Sequence, residues 1–296
     1  MDILNNCRLC PRKCGADRES GKRGYCSADK TIKIARSALH MWEEPCISGA
    51  NGSGTVFFSH CTLKCVFCQN YKISHGGLGY EISEKELAEE FLKLQDEGAH
   101  NINLVTPTHY APQIIRALDI AKSSGLTVPI VYNTGGYEME ETIDMLNGYV
   151  DVYMPDIKYY SDKHAVKYSA APNYFKTAAK AVSKMFNQVG ENKFDENGIM
   201  RRGVLIRHML LPGLLNDSKK VIDYIYSTYG DSVYISIMSQ YIPSGDLTQY
   251  PELNRRINPR AYNALIDYCA RKGIQNAFVQ DLSSASEMFV PDFYTE

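Results

Sequence analysis

Seven of the nine cysteines fall in two tight groups, and thiols so spaced do metal or redox chemistry. Cys61, Cys65 and Cys68 lie within one short stretch, HCTLKCVFCQN, with three and then two residues between them. A structural zinc wants four protein ligands, and no His or Cys follows at a fitting distance. A cubane iron–sulfur cluster takes one thiolate per iron, so three cysteines leave one iron open to a substrate or cofactor. The second group, Cys7, Cys10, Cys14 and Cys26, supplies four thiolates, which suits structural zinc or a second iron–sulfur cluster. Arg8, Arg12, Lys13, Arg18, Lys22 and Arg23 stand among them against Asp17 and Glu19, and that excess of positive charge offsets a tetrathiolate site. Cys46 and Cys269 stand apart and read as small buried hydrophobes.

These groups need elements to hold them. Residues 1–50 are rich in Cys, Gly and Arg/Lys with little apolar periodicity, as expected of a lobe held by metal rather than by a core. Beyond Gly54, short β-rich runs alternate with amphipathic helices. Strands are expected at 55–59, 102–106, 129–133, 150–156, 203–209, 233–239 and 277–281. Helices are expected at 83–98, 111–125 and 258–273; the first carries a capping box in Ser83 and Glu86. Residues 191–202 read as an insertion or hairpin. Alternating strands and helices imply parallel pairing, and six or seven units imply an α/β fold of the partial TIM-barrel, (β/α)6 type over 51–296. Active sites of such barrels lie at the carboxyl ends of the strands, where the Cys61–Cys68 loop falls.

The same logic singles out polar residues that end later strands. They are Thr106 to Tyr110, Asn133-Thr134-Gly135-Gly136, Asp156 with Lys158, Arg207-His208, and Gln240-Tyr241. The two glycines would let a ligand approach the backbone, and Arg207 would give a cofactor carboxylate a charge-assisted contact. His109 reads either as an acid or base or as a hydrogen-bonding loop residue.

Composition excludes other classes. The 296 residues are 44% hydrophobic and carry a formal charge of −2, a balance that argues against a protein living on nucleic-acid phosphates. No run approaches 18 apolar residues, so no transmembrane helix is expected. MDILNNCRLC lacks a basic stretch followed by an apolar one, so the expected location is the cytoplasm. No phosphate-cradling glycine motif follows a strand.

Cys61-x3-Cys65-x-Phe67-Cys68 after the first barrel strand resembles the signature of radical S-adenosylmethionine enzymes. The resemblance implies that these cysteines hold a 4Fe-4S cluster whose open iron chelates the amino and carboxylate groups of S-adenosylmethionine. It also implies that homolysis of the cofactor yields a 5′-deoxyadenosyl radical that abstracts hydrogen. Over most of the chain, including CRLCPRKCG, WEEPCISG, CVFCQNY, NLVTPTH, YNTGGYE, MPDIKY and RHMLLPG, the sequence looks like relatives of pyruvate formate-lyase activating enzyme with a cysteine-rich amino-terminal region. That likeness implies Phe67 beside the adenine and Thr106, Asn133, Asp156 and Arg207 positioning the cofactor. It further implies flavodoxin or ferredoxin as electron donor and a glycyl-radical enzyme as protein substrate. Gly52-Ser53-Gly54 stands where activating enzymes carry Gly-Pro-Gly, and Thr106-Pro107-Thr108-His109 replaces their Gly-Gly-Glu. These departures bear on the glycyl-radical substrate more than on the radical chemistry. A small-molecule, ribosomal or peptide substrate is the alternative within the class; a non-catalytic iron–sulfur electron carrier is the alternative outside it.

Overall fold

The computed structural model describes residues 3–284 and Phe293. The chain enters through a loop-rich lobe and forms strand β1 (Ile32–His40), a short helix α1 (Pro45–Ser48) and strand β2 (Ser53–Phe58). After the cysteine loop come α2 (Tyr71–Ser74), β3 (Tyr80–Ile82) and α3 (Glu84–Asp96). Alternation then sets in with β4 (Ile102–Val105), α4 (Ala111–Ser123), β5 (Ile130–Thr134), α5 (Glu140–Met145) and β6 (Val152–Pro155). Helices α6 (Asp162–Ser169) and α7 (Tyr174–Val189) lead through β7 (Lys193–Phe194) to β8 (Met200–Met209). The chain continues with α8 (Leu215–Tyr229), β9 (Tyr234–Met238), α9 (Pro259–Arg271) and β10 (Ala277–Val279).

The strands form one sheet in the order β10-β9-β8-β6-β5-β4-β2-β1-β3. From β10 to β2 all pairings are parallel, seven strands of a barrel that does not close; β1 and β3 add antiparallel edges. This is the expected partial α/β barrel. Strands β2, β4, β5 and β6 are buried along their whole length, which is why they read as apolar runs rather than as alternation. The capping box forms, with Ser83 Oγ accepting from the Glu86 amide and Glu86 Oε2 accepting from the Ser83 amide at 2.7 Å. Residues 191–202 are a hairpin, β7 against the start of β8.

The expected boundary at residue 50 cuts across this sheet. Strand β1 pairs with β2 from Ile34↔Phe58 to His40↔Ser53, so its end lies at the start of β2. The chain therefore arrives beneath the barrel, at the end opposite the cysteine loop. Residues 41–48 close that end. Cys46 and Ile47 pack on the inward side chains Val131, Val152, Met154 and Leu205, and Asn101 Nδ2 donates to the Ile47 carbonyl at 2.8 Å. The loop-rich lobe proper ends near Thr31.

Candidate active site

The loop after β2 is held from several sides. Lys64 and Val66 donate their amides to the Ser169 and Tyr168 carbonyls at 3.1 and 2.9 Å, and Arg12 Nε donates to the Thr62 carbonyl at 2.9 Å. All three thiols have partners: the Leu63 amide donates to Cys61 Sγ at 3.4 Å, Tyr159 and Ser169 share a hydroxyl bond, and Ser169 Oγ donates to Cys65 Sγ at 3.0 Å. Cys68 Sγ lies 3.2 Å from Ser74 Oγ. Such contacts fix ligand orientation at a metal centre and tune its potential.

Cys61, Cys65 and Cys68 line a cavity of about 240 Å³ at the carboxyl ends of the strands. Burial raises all three thiols, Cys61 to about 12 and Cys68 to about 11, so thiolates persist here only beside compensating cations. Among the described residues no group of three His, Cys, Asp or Glu side chains is gathered for a single metal ion. A cubane asks for something else, one thiolate on each of three irons, and three thiols spread around one cavity fit that demand.

Phe67, Thr106, Asn133, Asp156 and Arg207 line the same cavity, so every barrel residue singled out for cofactor or metal comes together there. Phe67 packs on Tyr241 with ring centroids 6.0 Å apart. Thr106 directly follows β4 with φ +60°, a left-handed backbone that side chains rarely adopt, and its amide donates to the Asn133 carbonyl at 2.8 Å. Arg207 is the hub. Its Nε donates to Asp156 Oδ1 at 3.0 Å, Nη2 to Asn133 Oδ1 at 2.6 Å and Nη1 to Glu43 Oε2 at 3.3 Å. Lys158 Nζ donates to the other Asp156 oxygen. Burial pushes the Asp156 carboxyl up, but Lys158 and Arg207 outweigh it and hold the group below the usual carboxylate range. Asp156 is thus a fixed anion, and its pair with the half-buried Lys158 lines the cavity rather than the outer surface.

The other strand-end residues divide. Gly135 lines the cavity beside Leu63 of the cysteine loop, where a Cβ would stand 2.7 Å from Leu63 Cδ1. Gly136 packs against the end of the next strand, where a Cβ would stand 2.1 Å from the Asp156 carbonyl oxygen. His109 lies outside the cavity wall, buried, with Nε2 2.8 Å from the Ser59 carbonyl oxygen. His208 likewise bonds the Ile157 carbonyl with Nδ1. Gln240 lines the cavity, whereas Tyr241 only supports Phe67. Sequence reasoning gave no role to Glu43 and Glu44, which line the cavity from the barrel floor; WEEP was legible as a motif, its destination was not.

The four amino-terminal cysteines sit away from this cavity. Cys7, Cys10 and Cys26 are buried and Cys14 is exposed. A Cβ on Gly24 would stand 3.4 Å from Cys14 Sγ and 3.5 Å from Cys26 Sγ, so those sulfurs flank one point. Arg18, fully buried, points Nη1 at Cys7 Sγ (3.6 Å) and at the His109 carbonyl (2.6 Å), tying the lobe to the loop after β4.

The model of the family described as the radical SAM superfamily matches residues 55–225, more than half of the chain. The chain belongs to the radical SAM superfamily. That membership implies an enzyme with a 4Fe-4S cluster and S-adenosylmethionine. The sequence is also 29% identical over 266 residues to the uncharacterised protein MJ0674 of Methanocaldococcus jannaschii, covering 86% of this chain and 72% of that one. In fold it is similar to Streptococcus suis SuiB bound to the precursor peptide SuiA (15% identity, TM-score 0.51, 76% of this chain and 48% of that chain). It is also similar to methylornithine synthase PylB (16%, 0.50, 74% and 60%) and to HydG, a maturase of the [FeFe]-hydrogenase (11%, 0.50, 77% and 52%). This chain spans about half to three-fifths of the length of these solved proteins. No described helix is long and apolar enough to cross a membrane.

Proposed function

We propose that Cys61, Cys65 and Cys68 hold the 4Fe-4S cluster and that this radical SAM enzyme abstracts hydrogen from its substrate in the cavity above the barrel. The observation that carries the reading is one cavity walled by three cysteines of one loop and by the Asn133–Asp156–Arg207 network from three adjacent strands. When bound, the reduced cluster and S-adenosylmethionine supply a 5′-deoxyadenosyl radical. The chain's own residues then bind, orient and exclude water. Arg207 and Lys158 offer fixed cations to a carboxylate, Asp156 and Asn133 hold those cations in place, and Phe67 gives an apolar wall to a base. The buried wall keeps water from the reacting carbon.

The resemblance to activating enzymes favours a glycine of a glycyl-radical enzyme as substrate, with flavodoxin or ferredoxin as donor; a small molecule or another macromolecule is the other reading. The amino-terminal Cys7, Cys10, Cys14 and Cys26 are proposed as ligands of zinc or of a second iron–sulfur cluster, supported by the flanking of Gly24 by two of their sulfurs.

The test is anaerobic reconstitution, an iron and zinc count, and addition of dithionite and S-adenosylmethionine. Formation of 5′-deoxyadenosine, lost together with about four irons when Cys61, Cys65 and Cys68 become Ala, supports the assignment. A fully loaded, reduced protein that forms none overturns it. About eight irons without zinc assign the lobe a second cluster, and four with one zinc assign it zinc.

A further inference from the structure

Residues 42–44 lie outside the stretch matched by the family model and line the cavity from below. We propose that this floor receives a cationic nitrogen of the substrate, an ammonium or guanidinium group, with Glu44 as its counter-ion. The inference rests on the cavity being the seat of the proposed chemistry.

Unmet acceptors gather here. Glu44 is 6% exposed, and its Oε2 is shielded from solvent without a hydrogen-bond partner within 3.5 Å among the described residues. Asn103 Oδ1 is buried and unpartnered among the described residues as well, while its Nδ2 donates to Glu43 Oε1 at 3.2 Å. The Ser236 hydroxyl lies beside Glu44, where it favours the carboxylate. An unmet buried acceptor costs about 1–3 kcal/mol. A cluster of them selects a ligand with several N–H donors.

Charge separates a cation from a neutral donor. Arg207 is engaged by Asp156, Asn133 and Glu43 and attracts Glu44 without an ion-pair contact, and Lys158 is engaged by Asp156. The cavity wall thus holds two fixed cations against the carboxylates of Asp156, Glu43 and Glu44. Glu44 has no ion-pair partner within 4.0 Å among the described residues. Burial raises the Glu44 carboxyl even though Arg207 attracts it, and water or an amide would fill the hydrogen bonds without offsetting that burial. An ammonium or guanidinium group does both, whereas a carboxylate or phosphate at this end is repelled.

The experiment titrates the anaerobic, reconstituted protein, saturated with S-adenosylmethionine, with acetamidinium and guanidinium and with their uncharged counterparts acetamide and urea. Calorimetry at constant ionic strength reads the binding. The cations bind at least tenfold more tightly than acetamide and urea, and Glu44→Gln removes that preference. If the variant fails to fold, the charged-against-neutral comparison on the wild-type protein, with Ser236→Ala weakening cation binding severalfold, still decides. Equal binding of cation and neutral compound, undiminished preference in Glu44→Gln, or no binding up to about 100 mM overturns the proposal. So does a Glu44→Gln variant that loses cofactor affinity while cations fail to bind, because Glu44 then faces the cofactor. The change in the cluster's electron paramagnetic resonance spectrum on adding S-adenosylmethionine separates the two readings. Its absence counts against the proposed function, and its presence without cation preference counts against the floor alone.

Discussion

Glu138 lies 2% exposed between the loops that follow β4 and β5, accepting from Thr108 Oγ1 at 2.6 Å and from Thr134 Oγ1 through the same oxygen. Its other oxygen has no partner among the described residues. Burial outweighs both hydroxyl bonds and pushes the carboxyl from 4.5 up to about 7. A raised carboxyl favours the folded state while it keeps its proton. That stability is present in full below about pH 4.5, is lost progressively up to about pH 7, and is absent above. The loss corresponds to about 3 kcal/mol. Glu138→Gln keeps the acceptor for both threonines and stays neutral at every pH. Its advantage over wild type is therefore expected to widen by about 2 kcal/mol between pH 5.5 and 8.5. Anaerobic urea titrations of both proteins, followed by far-UV circular dichroism, read the difference at each pH, so loss of metal common to both cancels. Parallel curves, with an offset that does not change with pH, would refute the reasoning, because they would mean Glu138 titrates alike folded and unfolded.

Two further perturbations follow from the geometry. Arg18→Met leaves the Asp29 and His109 carbonyls without their donors, at about 1–3 kcal/mol for each. It should speed amide exchange at residues 106–110 while leaving α8 and α9 protected; unchanged exchange there counts against the tie. Gly136→Ala, at φ +77° with its new Cβ 2.1 Å from the Asp156 carbonyl oxygen, is expected to cost more than about 2 kcal/mol and to weaken cofactor binding at least tenfold. Wild-type-like stability by thermal unfolding refutes the packing account.

The chemistry was legible in the sequence where its geometry is local. A cysteine triplet within one loop brings its sulfurs together almost regardless of the rest of the chain, and that loop follows a strand that the apolar run TVFF already announces. The helices with strong 3.6-residue periodicity and caps, α3, α4 and α9, came out within two residues of expectation. Strand-end positions lining one cavity also follow from the fold class, since a parallel barrel gathers its carboxyl ends whatever the loops contain.

What the sequence left open depends on pairings far apart in the chain. Arg207 meets Asp156, Asn133 and Glu43 across separations of 51, 74 and 164 residues, and no local pattern joins them. The excess of Arg and Lys in the lobe reads from sequence as charge balance for thiolates; Arg18 does face Cys7 Sγ, but Arg12 and Arg18 also donate to carbonyls of the barrel loops, which no local pattern announces. Glu43 and Glu44 read as part of a motif with no address. Only the antiparallel return of β1 along β2 carries them beneath the barrel, where the inward side chains of five strands leave an opening that residues 41–48 fill. Spacing along the chain thus determined which residues could share a metal, because chelation within one loop is a local matter. Tertiary packing alone decided which charges face each other inside the barrel, because burial removes the solvent that would otherwise let each of them stand unpaired.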